Sequence, residues 1–180
     1  MRSAPSCSPR LPGFPDSHEP RIFGRFVRGL TLHRPWPWCF LHAGKRVENR
    51  RWPAPAFMYD EWIALHAGEH FDAEAAKRMQ AGDFGQAARG VLDAGVVHPA
   101  GVIFAIARLG PVRRFDGGSF SAPDGVRPVE QDRWSFGPWV WDLHTLRPLP
   151  RPIPARGRQR LWRLTDAQCA AIERETGGAG

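Results

Sequence analysis

The sequence predicts an α+β domain built on a small β-barrel of about five or six strands, with inserted helices and a C-terminal helix. Short segments that alternate apolar and polar residues recur along the chain, as in half-buried strands. Helical spacing of apolar residues appears between such segments, and a capping sequence opens a last helix. The 180 residues, of which 42% are hydrophobic and 24% charged, suffice for one domain with its own core.

The domain is predicted to span residues 29–180. Residues 1–28 are rich in proline, serine and arginine and show no periodicity, which indicates either a disordered extension or a start codon placed too early. They contain no apolar stretch of the kind that a secretory signal needs. The longest apolar run, Ala100–Ala107, is too short to cross a bilayer and predicts a buried strand.

The first half of the domain is predicted to begin with strands and a short helix. Leu30–His33 alternates as a strand does, and the turn at Pro35 leads into a helical segment that ends at Gly44. Arg46–Arg50 and Glu61–Ala67 alternate again, so both are predicted strands.

Two inserted helices and a further strand are predicted next. Asp72 is the expected N-cap of the first helix, and Asp83 is the expected cap of a second helix that reaches Ala94. Val102–Leu109 is almost wholly apolar and predicts a central strand. The apolar residues at helical spacing in the first helix are Phe71, Ala75 and Met79.

The second half is predicted to contain a long loop and two more strands. The segment 115–138 is rich in Gly, Pro and Asp, and a loop of that length is often a lid or a binding segment. Trp139–Leu146 alternates as a strand, and the proline-rich segment 147–154 is predicted to be a crossing between strands. A turn at Arg156–Arg158 then leads to a last strand, Arg160–Leu164.

The C-terminal helix has the clearest local signal in the chain. Thr165 and Gln168 have the spacing of a capping box, in which each side chain bonds to the other residue's backbone N–H. Leu164 and Cys169 flank this box as a hydrophobic staple. We therefore predict a helix that reaches about Glu175.

The charge balance permits nucleic-acid binding. The formal net charge is +7, and arginine supplies nearly all the positive charge, since Lys45 and Lys77 are the only lysines. The planar guanidinium of arginine suits phosphates and stacked bases. A GC-rich genome that encodes arginine wherever a cation is needed explains the same bias equally well.

The cysteines predict neither a disulfide framework nor a metal site. Cys7, Cys39 and Cys169 are far apart and odd in number, with no CxxC pair. His66 and His70 are four residues apart, but Gly68 lies between them and argues against a metal-binding helix. We predict no metal, no cofactor and a reducing, cytoplasmic location.

The stretch GKRVENRRW, Gly44–Trp52, is the main candidate site. In a regular strand Lys45 and Glu48 face opposite sides, so they converge only if a loop-to-strand corner falls between them. Lys45 then meets a phosphate or polarises a carbonyl, while Glu48 accepts from a base edge or holds Lys45 in place. The alternative is a surface ion pair, which contributes about 0–1 kcal/mol.

Further candidates lie outside this stretch. Trp36 is expected to be an exposed stacking platform, whereas Trp38 is expected in the core. Arg156, Arg158 and Arg160 share one face if extended, and form either a phosphate-binding rim or a solvated edge that discourages strand aggregation. The candidate ligand-binding residues are Trp36, Lys45, Glu48, Asn49, Arg50, Trp52, His66, Arg156 and Arg158.

Five blocks in order carry a resemblance to a known family. They are LTLHRPWPW, HAGKRVENRRW, IALHAG, GVIFAIARL and finally GPWVWDL with PLPRPIPARGRQRLWRL. From about Leu30 to Leu164 the chain resembles an ASCH domain, a family of the PUA-like superfamily of small β-barrels. The Gly-Lys-x-x-Glu-x-Arg signature of that family stands here as Gly44, Lys45, Glu48 and Arg50.

The resemblance implies a cleft beside the barrel, lined by the signature, with His66 near its mouth. Such domains are thought to bind RNA or modified nucleosides. One branch hydrolyses the acetyl amide of N4-acetylcytidine, and nuclease activity is attributed to others. A fold shared by binders and hydrolases does not decide between them.

The residues and the resemblance together predict an RNA- or nucleotide-binding module that uses a basic, Trp-lined cleft. The alternative is a small hydrolase, an amidohydrolase on an acylated nucleoside such as N4-acetylcytidine or a ribonuclease, with Lys45 and Glu48 catalytic. The amidohydrolase branch has a threonine where this chain has Glu48, so that hydroxyl nucleophile is missing. A third hypothesis is a scaffold that recruits proteins through its prolines. Enzymatic activity and protein partners stay open.

Overall fold

A computed structural model of the protein describes residues 21–22, 25–93, 99–115 and 129–177. The strands are β1 (Arg21–Ile22), β2 (Arg25–Phe26), β3 (Arg28–Arg34), β4 (Val47–Arg50), β5 (Trp62–Phe71), β6 (Val102–Arg114), β7 (Trp139–Pro154) and β8 (Leu161–Arg163). The helices are α1 (Trp36–His42), α2 (Ala73–Ala81), α3 (Gln86–Asp93) and α4 (Asp166–Glu175), with 3-10 turns at Ala56–Met58 and Val129–Trp134. The predicted α+β class is confirmed.

Six strands form one curled sheet, a half-barrel, in the order β4-β7-β6-β5-β3-β8. The pair β3 and β5 is parallel, and the other neighbours in this sheet are antiparallel. The edge strands β4 and β8 do not pair with each other, so the barrel is open along one side. Side chains, rather than backbone hydrogen bonds, line this opening, and the candidate site lies there.

The sheet is buried on both faces, because helices cover each side. On β5, Ile63 and Leu65 face a large core that also contains residues of α1, α2 and α3. Trp62 and Ala64 face a smaller core with α4, whose Ile172 is fully buried. The alternation predicted for this strand is confirmed, and it explains why both faces read as apolar.

The caps at the two ends of the domain form as predicted. Asp72 accepts a hydrogen bond from the N–H of Ala75 at the start of α2. Thr165 and Gln168 form the complete capping box of α4, with distances of 2.9 and 3.2 Å. These are local signals, and the local sequence suffices to specify them.

Two details of the inserted helices differ from the prediction. Asp83 pairs with Arg78 at 2.9 Å, and α3 begins only at Gln86. Phe71 is 47% exposed at the end of β5 and takes no part in the buried face of α2. The predicted end of the second helix at Ala94 lies outside the described residues.

The proline-rich segment is the largest departure in the sheet. Its prolines predict a crossing between strands, but the segment is part of β7. Pairing with β6 is interrupted where residues 149–152 stand opposite the single residue Phe104. Proline has no N–H to give to a ladder, so a bulge lets the strand continue past the prolines.

Parts of the predicted loop and extension lie outside the described residues. Of the segment 115–138, residues 116–128 are not described, and the 3-10 turn Val129–Trp134 follows them. Within residues 1–28, the strands β1 and β2 pair with each other, and Val27 is buried. Arg28 opens β3, while residues 1–20 and 23–24 are not described, so their disorder stays a prediction. No helix in the described ranges is long and apolar enough to span a membrane.

Gly29 is required where β3 passes Trp162. A Cβ atom at this position would lie 2.3–2.7 Å from three atoms of the indole ring, which is itself buried. We expect Gly29→Ala to lower the free energy of unfolding by about 2 kcal/mol or more, because an overpacked core must shift. Denaturant unfolding measures this.

The control is Gly90→Ala in α3, where an added Cβ meets nothing within 4 Å. It is expected to raise the free energy of unfolding by about 0.5–1 kcal/mol, because alanine favours helix over glycine. Equal effects at both positions would contradict the close packing of Trp162 on β3.

Candidate functional site

Two adjoining cavities open on the unpaired side of the half-barrel. Cavity A has a volume of about 510 Å³, and its lining includes Trp36, Lys45, Glu48, Asn49, Arg51 and Phe136. Cavity B has a volume of about 640 Å³, and its lining includes Thr31, His66, Glu69, Arg156, Arg158 and Arg160. His33, Arg50 and Trp52 line both cavities. The structure therefore places each predicted ligand-binding residue in one of two connected cavities.

The corner before β4 turns Lys45 inward. Because β4 begins at Val47, the preceding two residues lie outside the regular strand. Gln131 fixes this corner: its amide donates to the carbonyl of Gly44 at 2.9 Å and accepts from the N–H of Arg46 at 2.7 Å. The corner that the convergence of Lys45 and Glu48 requires is present.

The Lys45 ammonium is buried at the floor of cavity A. Its side chain is 1% exposed, so it is not part of the surface ion pair given above as the alternative. It donates to the carbonyl of Val47 and lies 4.3 Å from the ring centroid of Phe40. Burial lowers the pKa of Lys45, and the adjacent Glu48 carboxylate offsets part of that effect.

Lys45, Glu48 and Arg50 form a chain of charges across the floor of cavity A. Glu48 Oε2 lies 3.4 Å from Lys45 Nζ, and Glu48 Oε1 lies 3.1 Å from Arg50 Nε. The Glu48 side chain is 11% exposed, so this is no solvated surface pair. The three side chains converge on one cavity, as the candidate site requires.

Arg50 also connects the two sides of the barrel opening. Its guanidinium donates to the carbonyl of Thr31 on β3 at 2.6 Å. The strands β4 and β3 are not neighbours in the sheet, so this bond spans the opening. Arg50 thus forms part of the wall between cavities A and B.

An aromatic wall stands beside the buried charges. Trp36 is only half-buried, and its N–H donates to Asp72 at 3.3 Å. Its ring lies 5.2 Å from Phe84 and 5.4 Å from Phe136, centroid to centroid. Trp36 is therefore part of a packed cluster and not a free platform, while Trp38 is in the core as predicted.

Phe136 is a residue of cavity A that the sequence did not single out. It is 39% exposed and follows the 3-10 turn at Val129–Trp134. Asn49 holds it there: the side-chain oxygen accepts from the N–H groups of Phe136 and Gly137, both at 3.0 Å, and its amide donates to Trp134 at 2.8 Å. The Asn49 amide is thus engaged with the backbone.

His66 supports the segment that carries the arginines of cavity B. It is 1% exposed, and its Nε2 donates to the carbonyl of Ala155 at 2.9 Å. Gly157 packs on the ring, where a Cβ would lie 2.6 Å from the Cε1 atom of His66. Burial lowers the pKa of His66, which favours the neutral ring.

The three arginines predicted to share one rim are brought together. Arg156, Arg158 and Arg160 are exposed and line cavity B. Arg160 also lies over the Trp52 ring, 5.6 Å from its centroid. Arg156 and Arg158 have no carboxylate partner among the described residues. Their positive charge is therefore directed to solvent and to any ligand in the cavity.

A metal-binding arrangement is not seen in the described ranges. No group of three or more His, Cys, Asp or Glu side chains there is placed to hold an ion. His33 and His70 contact each other edge to face at 4.5 Å, and no such group includes them. The absence of a metal stays a prediction.

Comparison with family models gives no match, and no curated protein matches the chain. Solved structures do match. An ASCH protein from Zymomonas mobilis is 17% identical, with a TM-score of 0.46, over 81% of this chain and 94% of that one. A serine-to-alanine variant of that protein is 15% identical, with a TM-score of 0.45, over 83% of this chain and 96% of that one.

Proposed function

We propose that this protein binds RNA or nucleotides in cavities A and B. One observation carries the proposal: a buried ammonium, a carboxylate and a guanidinium meet at the floor of a solvent-open cavity with an aromatic wall. Burying Lys45 costs free energy that packing alone does not require. Ionisable groups with shifted pKa values that lie in a cleft are enriched at functional sites, which supports a ligand-binding role for Lys45.

The lining of cavity A suits a planar, polar ligand. Trp36 and Phe136 offer ring faces or edges, and stacking contributes about 1–3 kcal/mol per base. Glu48 offers oxygens that accept from the amino groups of a base edge. The volume of cavity A, about 510 Å³, lies within the range of small-ligand pockets.

The lining of cavity B suits the phosphate of such a ligand. Arg156 and Arg158 provide planar donors that match phosphate oxygens, and each contact releases counterions. Binding is therefore expected to weaken steeply as salt rises. The affinity of the four nucleoside monophosphates and of short single-stranded RNA, measured by calorimetry at two salt concentrations, tests this. No binding of any of them at low salt would refute the proposal.

The second candidate is a hydrolase, and one observation favours it. Burial lowers the pKa of Lys45, and its Nζ lies 3.4 Å from Glu48 in the same cavity. In this reading Glu48 takes a proton from water, the water attacks an acyl carbonyl, and Lys45 stabilises the oxyanion. When the tetrahedral intermediate collapses, the C–N bond breaks and Glu48 returns the proton to the departing nitrogen, so an acylated cytosine gives the free amine and a carboxylate.

The two candidates differ in turnover. Incubation with N4-acetylcytidine and analysis for cytidine and acetate tests amide hydrolysis, and incubation with single-stranded RNA tests nuclease activity. Turnover that Glu48→Gln removes while binding persists would favour the hydrolase. Binding without turnover would favour the binding module.

A further inference from the structure

A third cavity continues the groove beyond Trp52. Cavity C has a volume of about 520 Å³, and its lining includes Arg28, Trp52, Phe57 and Arg160. It shares Trp52 and Arg160 with cavity B. Cavities A, B and C therefore follow one another along the surface, with Trp52 lining all three.

Phe57 is held in solvent by an ordered turn. It is 71% exposed, the most exposed large hydrophobic residue among those described. The next residue, Met58, is 1% exposed and anchors the turn in the core. Met58 also donates to the carbonyl of Pro55 at 2.9 Å and accepts from the N–H of Glu61 at 3.1 Å. The hydrogen-bonded turn and the buried Met58 side chain thus fix Phe57 in an exposed position.

The surroundings of Phe57 are cationic. Arg28 and Arg160 line the same cavity, and Arg160 stands at its junction with cavity B, over the Trp52 ring. Exposed aromatic rings alternating with arginines are the surface that single-stranded nucleic acids recognise, through base stacking and phosphate contacts. An apolar protein segment would have to desolvate these guanidinium groups on docking.

We propose that cavity C is a second base-binding subsite, in which Phe57 stacks on a base of a single RNA strand. Another nucleotide of that strand lies in cavity A, and a connecting phosphate lies against the arginines of cavity B. The proposal rests on the proposed function and extends it: the preferred ligand is a strand of at least two nucleotides and not a free nucleotide.

The test compares ligand length in three proteins. The affinities of uridine monophosphate and of a uridine tetranucleotide are measured by calorimetry for the wild type, Phe57→Ala and Tyr59→Ala. Tyr59 is the matched control, since it is 61% exposed on the same turn but lines a neighbouring cavity that contains neither Phe57 nor the arginines of cavity C. The same measurements are made with adenosine monophosphate and an adenosine tetranucleotide, in case cavity A prefers purines.

The wild type is expected to bind the tetranucleotide at least about tenfold more tightly than the monophosphate, the gain of one stacked base. Phe57→Ala is expected to lose most of that gain and keep the affinity for the monophosphate. Tyr59→Ala is expected to change neither. Thermal unfolding checks that each variant folds. Because Phe57 is exposed, its replacement by Ala is expected to leave the unfolding temperature unchanged.

Three outcomes overturn the inference. If monophosphate binds and the tetranucleotide gains nothing, cavity C takes no base and the proposed function still stands. If the gain persists in Phe57→Ala, or is lost equally in Tyr59→Ala, Phe57 is not the stacking residue. If neither ligand of either base binds the wild type, the proposed function itself fails, and the inference with it.

Discussion

Lys45→Met is expected to weaken nucleotide binding by about 30-fold or more while leaving the folded protein at least as stable as the wild type. The methionine removes a buried ammonium, which costs desolvation free energy in the folded state, and fills a similar volume. Glu48 keeps Arg50 at 3.1 Å, so it is not left unpaired. Calorimetric titration and denaturant unfolding measure the two effects.

The pH dependence of stability gives an independent check on Lys45. Burial lowers its pKa from 10.5 in the folded protein, so the unfolded chain binds more protons between the lowered value and 10.5. The wild type therefore gains stability as pH rises through that window and loses it as pH falls. Lys45→Met lacks this gain, so its stability relative to the wild type is expected to be greatest at pH values below the lowered pKa and to shrink as pH rises toward 10.5.

The matched control is Lys77→Met, the other lysine, whose side chain is 75% exposed on α2. It is expected to change neither binding nor stability. A loss of several kcal/mol in Lys45→Met, with binding retained by the fraction that stays folded, would identify the ammonium as a structural group and contradict its role as a ligand-binding group.

Arg50→Met is expected to lower the free energy of unfolding by about 2–3 kcal/mol and to weaken binding as well. The guanidinium pairs with Glu48 and donates to Thr31, and both partners lose it at once. Its loss also removes the bond across the barrel opening. Urea unfolding followed by tryptophan fluorescence measures the stability.

Arg51→Met is the neighbouring control, because Arg51 is exposed at the rim of cavity A. We expect its effect on stability to stay within about 0.5 kcal/mol. Should Arg50→Met be as stable as Arg51→Met, the bond to Thr31 would contribute nothing to closing the barrel.

Local signals in the sequence predicted much of the fold. The capping box at Thr165, the cap at Asp72 and the alternation of β5 each depend on a few neighbouring residues. The corner after Gly44 was inferred only as the condition under which Lys45 and Glu48 converge, because strict alternation separates them. The predictions for the two tryptophans next to prolines were half correct. Trp38 is in the core as predicted, but Trp36 packs on Phe84 and is only partly accessible.

Contacts between distant residues could not be predicted in this way. Gln131 holds the corner at Gly44 across 87 positions, and Asn49 holds Phe136 across the same separation. Nothing in the sequence of the long loop marks Gln131 or Phe136, because their roles depend on where the folded sheet places β4. The burial of Lys45 has a different origin: Phe40 and Trp36 precede it closely in the sequence, but they cover its ammonium only because of the way α1 packs against the corner before β4.

The hydrogen bond from His66 to Ala155 makes the folded structure around cavity B depend on pH. The neutral ring donates from Nε2 to Ala155, and its Nδ1 is buried with no hydrogen-bond partner among the described atoms. A proton added at Nδ1 would have no acceptor, although the nearby Glu69 carboxylate would attract the new charge. The folded pKa of His66 lies below 6.5, so the stability that the neutral ring provides is full above 6.5 and is lost as pH falls through the folded value. Acidification is therefore expected to loosen the segment that carries Arg156 and Arg158, although these two arginines themselves stay charged.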